Sequence, residues 1–213
     1  MDLYFSPLAC SMATRIAIYE AGAPAGFIQA DLKAKLLPDG SSFLDVNPLG
    51  QVPVLRTDDG ELVFENQAIL QHVADAFPEA GLAPPPGRER TRLHRWLSFV
   101  GTELHKAVFV PLLDRRSPPE VKEYARARAP SRMTVLERHL TGRDALLDRF
   151  TVADAYLVTV LNWSPAVGID LAPFPTVCAY LDRMQRNPSV ARALAEERAL
   201  FAEEQARRAA VAS

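Results

Sequence analysis

Hydrophobic and polar positions follow one pattern in the first 77 residues and another in the rest of the chain. Four short apolar runs in the first part are typical of strands: 1–5, 27–31, 54–56 and 62–64. Three segments between or after them have the spacing or composition of helices: 11–21, 33–46 and 66–77. The predicted order is therefore βαβαββα, and its first β-α-β unit predicts a parallel pair of strands.

Local residues support the last part of this order. The segment 57–60, Thr-Asp-Asp-Gly, predicts a hairpin because its glycine supplies a positive φ. Asn66 is the predicted N-cap of the following helix. In that helix Ile69, Val73 and Phe77 recur every four residues on one face, which is typical of a side packed against a core.

A linker is predicted at 78–87, where four prolines and two glycines fall within ten residues. Every periodic segment after it is typical of a helix: 88–113, 118–140, 152–162, 175–186 and 189 onward. The first of these has an apolar stripe formed by Leu93, Leu97, Val100, Leu104 and Val108. We therefore predict an α/β domain at 1–77 and an all-helical domain at 88–213, whose polar tail, 201–213, is expected to fray.

Composition excludes several classes of protein. The net charge of −2 gives no excess of Lys and Arg to neutralise phosphates, which argues against a nucleic-acid-binding protein. No apolar run approaches the roughly 18 residues of a membrane span. The first residues lack the basic stretch and the long apolar core of a signal peptide, so we expect a cytoplasmic protein.

Metal and nucleotide chemistry are not expected either. The sequence contains no CxxC, no HExxH, no cluster of Cys and His at metal spacing, and no glycine-rich nucleotide loop. Its two cysteines, Cys10 and Cys178, lie far apart in the chain, and a disulfide between them is not expected in a reducing compartment.

Cys10 lies at the turn between the first predicted strand and the first predicted helix. A thiol at this place faces unpaired N–H groups and the positive end of the helix dipole, which favour the thiolate. The alternative is a small buried apolar residue, since free cysteine is among the most buried residue types. For the neighbouring Ser11, an ordinary N-cap is the simpler interpretation.

Two further segments suit the recognition of a small peptide. In 47–53, Asn-Pro-Leu-Gly-Gln-Val-Pro, the proline directly before a strand is often cis, and the backbone there is open to pairing with an extended peptide. Glu65 and Asn66 open a helix whose N–H groups bind a carboxylate, and Glu65 is able to meet an ammonium. The simpler alternatives are a structural turn and a plain Asn cap. Together with Cys10, these segments suit a peptide with a thiol and an α-amino acid end.

These residues resemble the beta class of bacterial glutathione transferases over nearly the whole chain. The matching motifs are Ala9-Cys10-Ser11, the segment 47–53, Glu65-Asn66, the segment 102–106 and the segment 150–156. The resemblance implies a thioredoxin-like glutathione-binding domain followed by an all-helical domain, in agreement with the order predicted above. It also implies glutathione as co-substrate, no metal, and a homodimer. Within 150–156, Thr151 and Asp154 have the form of a capping box, which we interpret as part of folding and not of catalysis.

The resemblance assigns roles near the glutathione sulfur. Cys10 would lie against that sulfur, with Ser11 and His105 as the other catalytic groups. Val52 would pair its backbone with the cysteinyl part of glutathione, beside Gln51 and a cis Pro53.

The resemblance also assigns residues to the rest of the ligand. The γ-glutamyl end would be held by Glu65 and Asn66, and the glycyl carboxylate by Lys35. Three residues would approach from the helical domain, and their spacing places them on one helix face beside the apolar stripe: Ser98, Thr102 and His105. Without the resemblance, Lys35 would be a surface lysine and His105 a surface or core-edge histidine.

The resulting hypothesis is a glutathione transferase that conjugates the glutathione thiol to small hydrophobic electrophiles. One alternative is a glutathione-dependent disulfide reductase or dehalogenase centred on Cys10, and another is a non-catalytic module of the same fold that binds ligands or proteins. Three residues depart from the class: Asn66 replaces its usual serine, and Leu8 and Asp148 stand where glycine is common. The sequence does not identify the electrophile.

Overall fold

In the computed structural model, which describes residues 1–212 and their side chains as far as residue 210, four strands form a sheet. The strands are β1 (Asp2–Phe5), β2 (Gly26–Gln29), β3 (Val54–Arg56) and β4 (Leu62–Phe64). Their order is β2-β1-β3-β4, with β1 parallel to β2 and antiparallel to β3, and with β3 antiparallel to β4. The predicted parallel pair and the predicted hairpin are confirmed.

The remaining regular structure of residues 1–212 is helical. The α-helices are α1 (Met12–Glu20), α2 (Asn66–Ala76), α3 (Arg88–Ser98), α4 (Val110–Leu113), α5 (Pro119–Leu140), α6 (Val152–Leu161), α7 (Ser164–Val167), α8 (Pro175–Gln185) and α9 (Pro188–Ala212). A π-helical stretch, Phe99–Phe109, joins α3 to α4, so that the predicted helix 88–113 is continuous. None of these helices is long and apolar enough to cross a membrane.

The predicted helix within 33–46 is only a short 3-10 turn, Phe43–Asp45. The rest of that segment is irregular because Asp31 pairs with Leu36, and Leu36 pairs with Ser42, as isolated bridges. The side chain of Asp31 also accepts the backbone N–H groups of Lys33 and Ala34, which stabilises a turn instead of a helix.

The described chain divides into two compact units. The first contains Met1–Ala80 together with α9, and the second is Gly81–Asn187. The expected division assigned the last helix to the helical domain, whereas in the structure α9 packs on α1 within the first unit. The tail that was expected to fray is part of α9 as far as Ala212, and Ser213 lies outside the described residues.

Each unit has its own apolar core. In the first unit, the sheet and its helices bury side chains completely, among them Leu3, Ile16, Leu55, Ile69 and Val73. In the second unit, the predicted stripe is buried along its whole length: Leu93, Leu97, Val100, Leu104 and Val108. Burial of such side chains contributes about 1.5–3 kcal/mol each, which makes it the main stabilising term.

The helix α6 is buried at every position, and a capping box begins it. The side chain of Asp154 accepts the backbone N–H of Thr151 at 2.9 Å, and the capping box predicted for this pair is confirmed. The same carboxylate also accepts the backbone N–H of Leu146 and the hydroxyl of Tyr180. One carboxylate therefore joins the start of α6 to the loop before it and to α8.

Candidate functional site

Cys10 lies in the turn between β1 and α1 and is half-buried. Its Sγ donates to the carbonyl oxygen of Val52 at 3.3 Å. The helix begins two residues later, so the thiol lies next to the N-terminal end of α1, as the sequence predicts. The turn therefore places a thiol in contact with the backbone of the segment 47–53.

Ser11 is fully buried inside the same turn. Its hydroxyl accepts the backbone N–H of Ser6 and donates to the carbonyl of Ser6, each at 3.3 Å, and it makes no cap hydrogen bond to α1. The simple N-cap interpretation is therefore wrong for its side chain, since the hydroxyl closes the turn on Ser6 instead.

The segment 47–53 is held by its own side chains. The Asn47 amide donates to the carbonyl of Gln51 at 2.7 Å and accepts the N–H of Leu49 at 3.1 Å. The Val52–Pro53 peptide bond is cis, as expected, and Gln51 is exposed. This edge of the first unit has a fixed backbone shape directly beside Cys10.

Lys35 lies against the same segment. Its Nζ donates to the carbonyl of Gly50 at 2.8 Å, and its aliphatic chain passes so close that a Cβ on Gly50 would lie 2.9 Å from the Lys35 Cδ. Lys35 also has a φ of +60°, which is uncommon for a residue other than glycine. The ammonium is therefore held beside the peptide-like edge, whereas a surface lysine would extend into solvent.

The start of α2 differs from the prediction at one residue. Glu65, with a φ of +65°, occupies the N-cap position, and Asn66 is the first residue of the helix. The Asn66 amide is buried and is already used: it donates to the carbonyl of Cys10 at 3.2 Å and accepts from the hydroxyl of Thr14 at 3.0 Å. Asn66 therefore joins α2 to the thiol turn, and the exposed carboxylate beside it belongs to Glu65.

In the first unit, residues far apart in sequence thus meet at one edge. Cys10 contacts both Val52 and Asn66, and Lys35 contacts Gly50 in the same segment as Val52. An uncommon left-handed backbone at Glu65 lies next to this group, and such conformations are frequent at functional sites.

The second unit carries the other predicted residues at the end of α3 and on the π-helical stretch that follows it. Buried positions recur every four residues there, in a row formed by Leu97, Gly101, His105 and Phe109. Ser98 and Thr102 lie in the neighbouring exposed row, and the Thr102 hydroxyl donates to the Ser98 carbonyl at 2.9 Å. The expectation that all three lie on one helix face beside the apolar stripe is therefore wrong for His105, which is buried. The reason is that a π-helix, with its i→i+5 hydrogen bonds, has more residues per turn than an α-helix. Residues whose spacing would put them on one face of an α-helix therefore lie on different faces here.

His105 lies in an aromatic cluster that the sequence did not reveal. Its Nδ1 is hydrogen-bonded to the hydroxyl of Tyr156 at 2.6 Å, and its ring packs on Trp163 with 5.1 Å between centroids. Burial, together with the nearby charge of Lys106, lowers the pKa of His105 to about 4, so the ring is neutral at neutral pH. Tyr156 is the last residue of the segment 150–156. Because it lies far from His105 in the sequence, no local pattern predicts the hydrogen bond between them.

Three kinds of comparison place the chain in a family. The family model of the glutathione S-transferase N-terminal domain matches residues 2–75. The family model of the glutathione S-transferase C-terminal domain matches residues 102–188. Glutathione S-transferase GstA of Escherichia coli O157:H7 is 39% identical, over 92% of this chain and 98% of that protein. The chain therefore belongs to the glutathione S-transferase family.

Similar solved structures indicate the class within this family. The bacterial beta-class glutathione S-transferase of Sphingomonas chungbukensis is 43% identical, with a TM-score of 0.88, over 92% of this chain and 98% of that one. A sphingomonad glutathione S-transferase in complex with glutathione gives the same identity, coverage and TM-score. The predicted resemblance to the beta class and the predicted thioredoxin-like and helical fold are confirmed.

Proposed function

We propose that this chain conjugates the thiol of glutathione to small hydrophobic electrophiles. Glutathione would lie along the edge formed by 47–53, with its sulfur at Cys10. In the reaction the thiol loses its proton, the thiolate attacks an electrophilic carbon, and a leaving group such as a halide departs with the bonding electrons. The family match supports the use of glutathione as co-substrate.

The contact between Cys10 and Val52 carries this proposal. The 3.3 Å hydrogen bond from Sγ to the Val52 carbonyl brings the thiol to the backbone that would pair with the cysteinyl part of the peptide. The nearby helix N-terminus adds a positive field that favours a thiolate at the same place. A peptide thiol bound along this edge would therefore lie in surroundings that lower its pKa.

We assign binding residues to the two ends of glutathione by matching opposite charges. Lys35, whose ammonium is held beside Gly50, would bind the glycyl carboxylate, and Glu65 would bind the α-ammonium of the γ-glutamyl end. Asn66 acts through its contacts with Cys10 and Thr14, since both ends of its amide are used within the fold. Ser11 supports the turn through Ser6. The roles of Gln51 and Pro53, and of Ser98, Thr102 and His105 in the second unit, stay predictions.

A second candidate is glutathione-dependent disulfide reduction centred on Cys10. The half-buried thiol beside a helix N-terminus favours it, because such a thiolate is able to exchange with glutathione disulfide. In that reaction the Cys10 sulfur attacks one sulfur of the disulfide and releases the other as a thiolate. Dehalogenation would begin with the same thiolate.

The variant Cys10→Ala separates these two reactions, and Cys178→Ala is the matched control. If bound glutathione is activated by the surroundings of the thiol turn, conjugation of an aryl halide should fall by no more than about tenfold in Cys10→Ala. Reduction of a mixed disulfide should be abolished, whereas Cys178→Ala should retain both rates. Complete loss of conjugation with unchanged glutathione affinity would instead make Cys10 the essential catalytic group.

We further propose a homodimer that works in the cytoplasm, as the resemblance to the beta class suggests. Sedimentation at micromolar concentration tests the first point, since a single species with twice the chain mass is expected and a monomer would contradict it.

A further inference from the structure

A buried arginine holds the middle of α1 in the first unit. The Arg15 side chain is 4% exposed, and its guanidinium lies between the rings of Phe5 and Phe27, 4.2 Å from each centroid. Two carboxylates of α9 approach it: Glu196 Oε2 lies 3.1 Å from one terminal nitrogen, and Glu197 Oε1 lies 3.0 Å from Nε. A charge this deeply buried is tolerated only when it is paired, so these contacts fix the position of α9 on α1.

The carboxylate of Glu197 is fully buried and has a second partner. Its Oε2 accepts the backbone N–H of Leu8 at 2.7 Å, which is the length of a charge-assisted hydrogen bond. Burial raises the pKa of Glu197 to about 7, and the opposing effects of Arg15 and the Leu8 N–H offset this only in part. One side chain of the last helix therefore contacts both α1 and the loop that precedes Cys10.

Leu8 has an uncommon backbone at this contact. Its φ is +59°, in the left-handed region where a branched apolar side chain is disfavoured. The next hydrogen bond of the turn runs from the N–H of Ala9 to the carbonyl of Ser6 at 3.1 Å, and Cys10 follows directly. The Leu8 conformation thus needs support from outside the turn, and Glu197 contacts its N–H.

We infer that Glu197 is a positioning residue for the thiol turn: its hydrogen bond with the Leu8 N–H, which joins α9 to the turn, sets where the Cys10 sulfur lies. Its importance for catalysis rests on the proposed function, but its effect on Cys10 does not. Leu8 is two residues from Cys10, so a change in the Leu8 backbone would shift the sulfur relative to the Val52 carbonyl that it contacts.

Other charged groups contact the same cluster around Arg15, so the test needs a control variant that accounts for their effect. Glu196 also pairs with Arg192 at 2.9 Å and accepts from the hydroxyl of Tyr19, while the Arg192 guanidinium lies 4.0 Å from the Tyr19 ring. Glu197 accepts the Leu8 N–H, whereas Glu196 contacts Arg15, Tyr19 and Arg192. Glu196→Gln therefore perturbs the Arg15 cluster and leaves the contact to the turn in place.

The test compares Glu197→Gln with Glu197→Asp in a Cys178→Ala background of the full chain. Gln keeps an oxygen that accepts the Leu8 N–H but loses the charge that pairs with Arg15. Asp keeps the charge but is one methylene shorter, so it loses reach to Leu8. The readout is the alkylation rate of Cys10 by iodoacetamide across pH 6–9 without glutathione, together with the thermal melt, and kcat and KM for glutathione.

If Glu197 positions the turn, Glu197→Asp should change the Cys10 alkylation rate by about tenfold, the equilibrium effect of one lost charge-assisted hydrogen bond. KM for glutathione should rise in parallel. Glu197→Gln and Glu196→Gln should stay within about twofold of the parent, even if their melting temperatures fall further. Alkylation profiles that follow the melting temperatures, or that are the same in Gln and Asp, would overturn the inference. A protein without any transferase activity would still give the alkylation result, so the two claims fail separately.

Discussion

Replacing Asp154 by alanine should destabilise the second unit far more than the loss of a simple helix cap. A cap at a helix start contributes about 1 kcal/mol. In the structure, however, the carboxylate is completely buried and its two oxygens accept from Thr151, Leu146 and Tyr180 at 2.8–2.9 Å. Burial raises the pKa of this carboxyl group, and the hydrogen bonds favour the anion against that effect.

The expected magnitude follows from the donors that would be left without a partner. Asp154→Ala orphans two buried backbone N–H groups and the hydroxyls of Thr151 and Tyr180, each of which costs about 1–3 kcal/mol when unsatisfied. Because the energetic costs of neighbouring groups are not additive, we expect the free energy of unfolding to fall by about 3–5 kcal/mol in total. Asp154→Asn keeps one acceptor oxygen but directs its NH2 group at a donor, so its loss should be smaller.

The assay is unfolding in guanidinium chloride followed by tryptophan fluorescence. Both tryptophans, Trp96 and Trp163, belong to the second unit, so the signal reports on that unit. Asp182→Ala, an exposed change on α8, is the control and should stay within about 0.5 kcal/mol of the parent. A loss below about 1 kcal/mol in Asp154→Ala would show that the network contributes no more than a simple cap. Weakened glutathione binding with unchanged stability would show instead that the residue belongs to the ligand site.

Two further predictions concern single charges. The pKa of His105, lowered to about 4, lies below its value of about 6.5 in the unfolded chain, so the unfolded state binds more protons between these values and stability rises with pH there. The unfolding free energy of the parent relative to His105→Gln should therefore increase by about 2 kcal/mol from pH 4.5 to pH 7, and a difference that does not change with pH would contradict the burial of a neutral ring. Lys35→Met should weaken glutathione about tenfold but leave γ-glutamylcysteine, which lacks the glycyl carboxylate, nearly unchanged, with the exposed Lys33→Met as control. Calorimetric titrations measure both ligands, and an equal loss for the two would place Lys35 elsewhere on the peptide.

Local patterns predicted most of the fold. The strands, the hairpin and the capping box of Thr151 and Asp154 depend on residues close in sequence, and their periodicity or spacing is visible there. The cis bond before Pro53 was expected for the same reason, since it belongs to a recognisable local segment.

The errors have a different physical origin. Helical spacing assumed an α-helix through 88–113, and the π-helical stretch moved His105 from the expected face into the core beside Tyr156. Asparagine is a residue type that often caps helices, which is why the sequence predicts Asn66 as a cap. In the structure its side-chain amide is instead hydrogen-bonded to Cys10 and Thr14, which are distant in sequence. The pairing of Arg15 with Glu197 joins opposite ends of the chain, and no local pattern marks which charged residues will be buried together.

The most direct test of the central claim is a calorimetric titration of the full chain with reduced glutathione, with a thermal melt at the same ligand concentrations. If glutathione binds along 47–53 with its sulfur at Cys10, heat should saturate at one ligand per chain. At about 100 times the dissociation constant, the ligand should stabilise the protein by about 2.7 kcal/mol. The absence of heat, together with a melting temperature unchanged by millimolar glutathione, would contradict the account.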